Sequence, residues 1–444
     1  TPPLGKSIVG DFVPTPSKHV HDELHARCLV LDDGQTRLAL VVCDLLGIHR
    51  VVSDEARRLI QERLGLAPSH VLICATHTHS ASSALAGDRH QPAPKPDEYQ
   101  RFVATRIADA VQNAVNTLRP AQLAFATAQA PEYVSNRRWF LKEGTMPPNP
   151  FGGIDKAKMN PPAGSPDILE PAGPTDPTIS ILALREPDGK PIAILSSYSL
   201  HYVGGVGPGH ISADYYGMFC RRLEQLRQPD RQDPPFVAIM SNGTSGDVNS
   251  VNFRQPRPKL PPYVRMQAIA DDLADKVFRA LAAAEYRDRV TLAARYREVP
   301  VDWRRPTAEQ IEWAKRMIAE RPKDSAKADL PRIYAERTMG MVDLPAANTV
   351  PVQVFRIGDL CIGTMPCEVF CEIGLEFKKR CPQRPALLIS LTHDYLGYLP
   401  AARHFELGGY ETWLGTNRLE PAAAAKMLDA LLEMAAEVRV ETQP

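Results

Sequence analysis

Short apolar runs that each stop at a metal-capable side chain constrain this chain more than any other feature. The run at 71–75 (VLICA) ends in Thr76-His77-Thr78-His79-Ser80, and the run at 192–200 (IAILSSYSL) delivers His201. The run at 359–367 (DLCIGTMPC) delivers Glu368, and that at 386–392 (ALLISLT) leads into His393-Asp394-Tyr395-Leu396-Gly397-Tyr398. Such runs read as buried strands, and strand ends are where sites assemble in open α/β sheets.

Helical patterns alternate with these runs. After residues 37–43 (RLALVVC), Ser53 is expected to cap a helix with Asp54 and Glu55 in its first turn. Leu59, Ile60 and Leu64 form its apolar stripe and Gly65 its end. A polar loop to about Pro96 and a long helix from Asp97 towards Leu118 follow. Further strands are expected at 179–184 and 192–197, helices at 214–227, 263–284, 308–320 and 422–438, and a short strand near 438–440. This alternation predicts an α/β fold of mixed α+β layers, one large catalytic domain over residues 1–444 around a mixed sheet. Residues 131–177, rich in Pro and Gly, are too long for an ordinary connector. Because strand signals resume after them, they read as an excursion within one domain that frames a site. No internal repeat is visible.

Composition narrows the function classes. The 52 Lys+Arg balance 52 Asp+Glu, which leaves no electrostatic footprint for nucleic acid or anionic membrane. No apolar run reaches the roughly 18 residues a membrane helix needs. Of the eight cysteines, Cys28, Cys43, Cys74 and Cys361 lie in apolar runs and read as small buried hydrophobes. The chain opens at Thr1 without a Met. The expectation is a removed upstream segment and a secreted or periplasmic location, with a cytoplasmic one as the alternative.

An isolated H-x-H is ordinarily a pair of loop histidines bonded to backbone, since metal sites need three or four ligands. Imidazole and carboxylate together suit zinc, and an open coordination position makes such an ion catalytic. Glu368 has the competing reading of a helix cap. The segment 236–250 ends a strand in the polar turn Ser241-Asn242-Gly243-Thr244-Ser245-Gly246-Asp247-Val248-Asn249-Ser250. Its N–H groups suit an anion nest, or Asp247 simply orders a tight loop. The turn is neither a P-loop nor a G-x-S-x-G elbow.

Together these segments resemble the neutral/alkaline (non-lysosomal) ceramidase family. The family's A-T-H-T-H-S is Ala75 to Ser80, its strand-end histidine is His201, and its P-G-E glutamate is matched by Pro366-Cys367-Glu368. Its tyrosines twelve apart match Tyr398 and Tyr410, and its I-N-R arginine matches Asn136-Arg137. The resemblance runs from Thr1 to about Glu411, in the family's order.

The resemblance implies one zinc per chain held by His77, His201, Glu368 and Tyr398, with His79, Arg137 and Tyr410 around the reacting carbonyl. It implies a zinc-dependent hydrolase that cleaves a linear amide (N-acyl) bond by metal-activated water, on a small-molecule or lipid-derived substrate. The chain departs from the family at the glycine turn. There the family reads G-D-V-S-P-N with a mechanistically central serine, and this chain has Asn249. An amide cannot replace a serine nucleophile, so Asn249 is expected to position substrate, with Asn242 and Asp247 as further substrate-binding residues. The alternatives are a zinc enzyme acting on a polar glycan-derived substrate, as glycoside hydrolase or lyase, and a catalytically silent binding protein. Ceramidases also carry a C-terminal immunoglobulin-like domain that is not expected here.

Overall fold

The computed structural model describes all residues except 11, 83, 86–94, 228–231, 323–327 and 440–444. Part of the expected polar loop before Pro96 and the end of the expected terminal strand lie outside the described residues.

Three parallel strand pairs, each with a crossover helix, organise the molecule. Arg37–Cys43 and Val71–Ala75 are joined through Arg50–Leu64. Pro191–Tyr198 and Val237–Asn242 are joined across Asp214–Arg227. Leu360–Thr364 and Ala386–Ile389 are joined across Cys371–Arg380. Parallel neighbours need such long connections. Antiparallel strands complete each sheet. Ala26–Asp32 extends the first, Thr178–Arg185 and Gln122–Gln129 the second, and Thr349–Ile357 and Leu292–Pro300 the third.

One face of each sheet joins a shared apolar cluster that includes Leu40, Leu72, Leu182, Leu195, Phe355 and Ile362. The opposite faces are covered by helices: Ile60 and Ile107 on the first, Phe219 and Leu273 on the second, Phe377 and Leu431 on the third. Burial on both faces is why these strands read as unbroken apolar runs rather than alternating ones.

The first crossover helix starts before its expected Ser53 cap. Its first residue, Arg50, donates its N–H to Asp394 Oδ1 at 3.1 Å. The Ser53 hydroxyl instead donates to the carbonyls of Arg50 and His393. Asp394 lies 344 positions away, so no local pattern could reveal this cap. Asp97, by contrast, stands at the expected start of its helix and caps that helix through a reciprocal pair with Gln100. A helix at Leu330–Gly340, absent from the expected set, packs against Ala308–Glu320.

Two features bring the strand ends together. Backbone bonds run from Ala75 N–H to the Leu391 carbonyl at 3.1 Å, from His393 N–H to that of Ile73 at 2.9 Å, and from Ser390 N–H to that of Asn242 at 3.1 Å. The C-terminal ends of the three parallel pairs therefore meet. Residues 131–177 form a small sheet, with Arg138–Leu141 between Ala157–Met159 and Ile168–Pro171. Ser135–Asn136 pairs separately with Val248–Asn249. Arg137 occupies the step between those two pairings.

Candidate metal centre

His77, His79 and His201 bring one ring nitrogen each within 4.8 Å of one another. The His77 ring has its Nδ1 at 2.7 Å from the Leu46 carbonyl, so Nδ1–H donates there and the Nε2 lone pair faces the cluster. His201 repeats this arrangement, with Nδ1 at 3.1 Å from the Ser245 carbonyl. His79 Nε2 stands 3.2 Å from His77 Nε2. Its ring is stacked on Tyr202 at 3.7 Å, and Gly10 approaches from the N-terminal segment. A Cβ on Gly10 would stand 2.7 Å from the His79 ring, so only glycine permits that approach.

Glu368 adds a carboxylate. Its Oε2 lies 3.2 Å from His77 Nε2 and 3.8 Å from His201 Nε2. Its Oε1 accepts the Tyr395 hydroxyl at 2.7 Å, while buried Oε2 has no hydrogen-bond partner. Burial alone would raise this carboxyl. Its neighbours His77, Tyr398 and Tyr395 outweigh burial and hold the pKa at about 2. Burial, together with His77, Arg137 and His79, keeps His201 well below the usual histidine value and therefore neutral. Glu368 does not cap the following helix, whose N-cap is Phe370. It pairs in register with Tyr398, which is also buried.

These distances fit a metal. Ligand atoms about 2.1 Å from a tetrahedral zinc lie roughly 3.4 Å apart, close to the 3.2 Å that separates His77 Nε2 from His79 Nε2 and from Glu368 Oε2. An ionised, buried carboxylate oxygen without a donor is what a cation would satisfy. His79 falls inside this cluster, beside the expected ligands rather than apart from them.

Arg137 closes the other side. Its Nε donates to Glu411 Oε1 at 2.8 Å, its Nη1 lies 3.5 Å from His201 Nε2, and its buried Nη2 has no partner. Its guanidinium sits 5.1 Å above the Tyr398 ring. Tyr410, half-buried, stands 5.7 Å from Tyr398 with exposed Phe12 at 6.2 Å.

The N-terminal sequence pattern of neutral/alkaline non-lysosomal ceramidases matches residues 15–257, more than half of the chain. The chain belongs to that family. The fold agrees: neutral ceramidase from Pseudomonas aeruginosa is similar at a TM-score of 0.68 and 17% identity, over 99% of this chain and 75% of that one. A ceramidase complexed with C2 gives 0.67 at 17% identity, over 99% and 76%. At that identity the likeness carries the fold alone.

Within this ceramidase-family chain, the glycine turn departs from its expected role. Both oxygens of fully buried Asp247 are engaged internally: Oδ1 accepts from Cys371 N–H and Oδ2 from Asn136 Nδ2, each at 2.7 Å. Asn242 is equally buried, donating to the Thr76 carbonyl and accepting from the Ser245 hydroxyl at 2.8 Å. The expected substrate-binding pair thus braces the turn that holds His201. Gly246 presses this turn against Glu368, whose carbonyl a Cβ would meet at 2.4 Å. Asn249 is half-buried and donates to Asn160 Oδ1 at 3.2 Å. The buried Ser250 hydroxyl has no hydrogen-bond partner, so no base activates it.

Glu411 and Tyr395 were not among the expected residues. A signal existed for the first, since Glu411 directly follows Tyr410; the second stood within the quoted 393–398 segment. A groove of about 2030 Å³, lined by residues such as Arg27, Leu31, Arg119 and Arg356, includes none of the converging histidines.

No helix among the described residues is long and apolar enough to cross a membrane.

Proposed function

We propose that this protein is a zinc-dependent hydrolase that cleaves a linear amide. The observation carrying this reading is the buried Glu368 carboxylate, whose Oε2 stands 3.2 Å from His77 Nε2 and 3.8 Å from His201 Nε2, with Arg137 Nη1 3.5 Å from the same His201 nitrogen. His77, His201, Glu368 and Tyr398 would hold the ion, with His79 alongside. When bound, zinc supplies a Lewis acid that polarises a carbonyl and lowers the pKa of water to about 7.

The chain's own residues do the rest. Leu46 and Ser245 carbonyls fix the two ring tautomers. Tyr395 holds one Glu368 oxygen so that the other points inward. Arg137 offers a preorganised donor to an oxygen that gains negative charge in the transition state. No protein nucleophile is required, which fits Asn249 and the unactivated Ser250.

A second reading, a polar glycan-derived substrate, is favoured by the Asn249–Asn160 amide pair, half-buried at Asn249 and exposed at Asn160. Asn160 N–H bonds the Arg137 carbonyl at 2.8 Å, which ties that pair to the site. Metal content by elemental analysis, with turnover on a panel of N-acyl amides and glycans, tests both. Amide release that tracks zinc loading supports the first reading. Glycan turnover without amide release selects the second, and a protein that turns over neither is a binding protein.

A further inference from the structure

Arg137 and Arg138 are consecutive, and consecutive residues of a strand point to opposite faces. Here both guanidiniums nevertheless reach one carboxylate. Glu411 Oε1 accepts from Arg137 Nε at 2.8 Å, and Glu411 Oε2 accepts from Arg138 Nη1 at 2.6 Å. This is possible because pairing breaks at Arg137: Ser135–Asn136 and Arg138–Leu141 belong to different sheets. All three side chains are at least nine-tenths buried. Arg138 is further pinned by the Gly408 carbonyl at 2.6 Å and lies 5.4 Å above the Phe370 ring.

The carboxylate therefore has a fixed seat, and that seat selects which Arg137 donors stay free. With Nε held by Glu411 and Nη1 beside His201, Nη2 is the donor left bare. Guanidinium is planar, so anchoring one N–H fixes the direction of the others. Without the carboxylate, two buried guanidiniums would repel across a short gap.

We propose that Glu411 is a positioning residue that aims Arg137 Nη2 at the oxygen bearing charge in the reaction. This rests on the reading of the site as a metal-assisted hydrolase. Among the described residues Glu411 forms its side-chain bonds with Arg137 and Arg138, and with none of His77, His201, Glu368 or Tyr398. It acts through Arg137 alone, with Arg138 as the counterweight that keeps the carboxylate in place.

The test compares wild type, Glu411→Gln and Glu411→Asp in metal-loaded enzyme. Gln keeps the shape and removes the charge; Asp keeps the charge and withdraws it by one methylene. Expected is a fall in kcat of roughly 10–100-fold in Glu411→Gln, with KM and bound metal unchanged, since the lost interaction acts on the transition state. Glu411→Asp should fall between. Combining Glu411→Gln with Arg137→Ala should cost little beyond Arg137→Ala alone, because the two act as one unit.

A second readout needs no turnover. In selectively ¹⁵N-arginine-labelled protein, assigned through Arg137→Lys, the Arg137 Nε–H should be protected from exchange in wild type. It should lose that protection in Glu411→Gln. A protected Nε–H in a folded Glu411→Gln overturns the proposal, as does unchanged kcat or a fully additive double mutant. If metal-loaded wild type releases no amine from any amide, the functional reading fails instead, and the Nε–H result still decides the positioning.

Discussion

The strand ends that carry His77, His201 and Glu368 and the turn that carries Asn242, Ser245 and Asp247 are equally buried, yet their polar atoms end differently. In the turn, Asp247 joins Cys371 N–H to Asn136, and Asn242 joins Thr76 to Ser245. At the strand ends, Glu368 Oε2 and Arg137 Nη2 have no partner. Buried polar atoms are ordinarily satisfied. Asn242, Ser245 and Asp247 obey that rule and brace the turn, whose Ser250 hydroxyl does not; the strand ends break it at charged atoms and are left able to bind. A polar cluster is thus sorted into scaffold or site by what its atoms lack rather than by its composition.

The largest effect expected on that contrast is loss of the metal. Wild type should hold about one zinc equivalent after mild dialysis, and His77→Ala or His201→Ala should hold none. Stoichiometric zinc in both variants would erase the distinction between the two clusters. Next comes Arg137→Ala, with kcat lowered roughly 10²–10³-fold and zinc retained. Arg137→Lys should be nearly as poor, because Lys lacks the planar fork. Steady-state kinetics on the responsive substrate read both.

Asp247→Ala should act on the other side of the contrast. It should lower stability by about 2–4 kcal/mol in urea denaturation, since two buried donors lose their acceptor. Activity per folded, metal-loaded molecule should remain near wild type. A normal midpoint with lost turnover would return Asp247 to the site.

Asp394, which caps the first crossover helix from the third unit, sets a pH dependence. Burial raises its carboxyl from 3.8 to about 6, despite hydrogen bonds from the Tyr395 and Arg50 N–H groups. Between about pH 4 and 6 the folded state keeps a proton that the unfolded chain releases. Stability therefore falls as pH rises through that window and levels above it, by at most about 3 kcal/mol. Asp394→Asn should remove this contribution to the slope, as urea midpoints from pH 4 to 7 would record.

The smallest effect belongs to Ser250→Ala. The hydroxyl is buried without a partner, so activity should stay within about two-fold and stability should hold or rise slightly. Serine-directed acylating reagents should leave no stoichiometric adduct. A trapped acyl group on Ser250 would make the turn a second reactive cluster.

Most elements were legible because buried parallel strands require unbroken apolar runs and covering helices require a 3.6-residue stripe. The helix at Asp214–Arg227 was readable to the residue, and so were the strand-end histidines and Glu368. What sequence left open were contacts between distant segments: Asp394 as the cap of a helix at Arg50, and Asp247 as a brace rather than a ligand. The repeated strand–helix–strand unit was also hidden, because it repeats as backbone pairing and packing, which different side chains satisfy equally well. The sequence by itself determined where each apolar run stops and which reactive side chain stands there. Only the tertiary structure decided which of those side chains meet and which of their atoms stay unpaired, because hydrogen-bond satisfaction in a buried site is settled by groups hundreds of residues away.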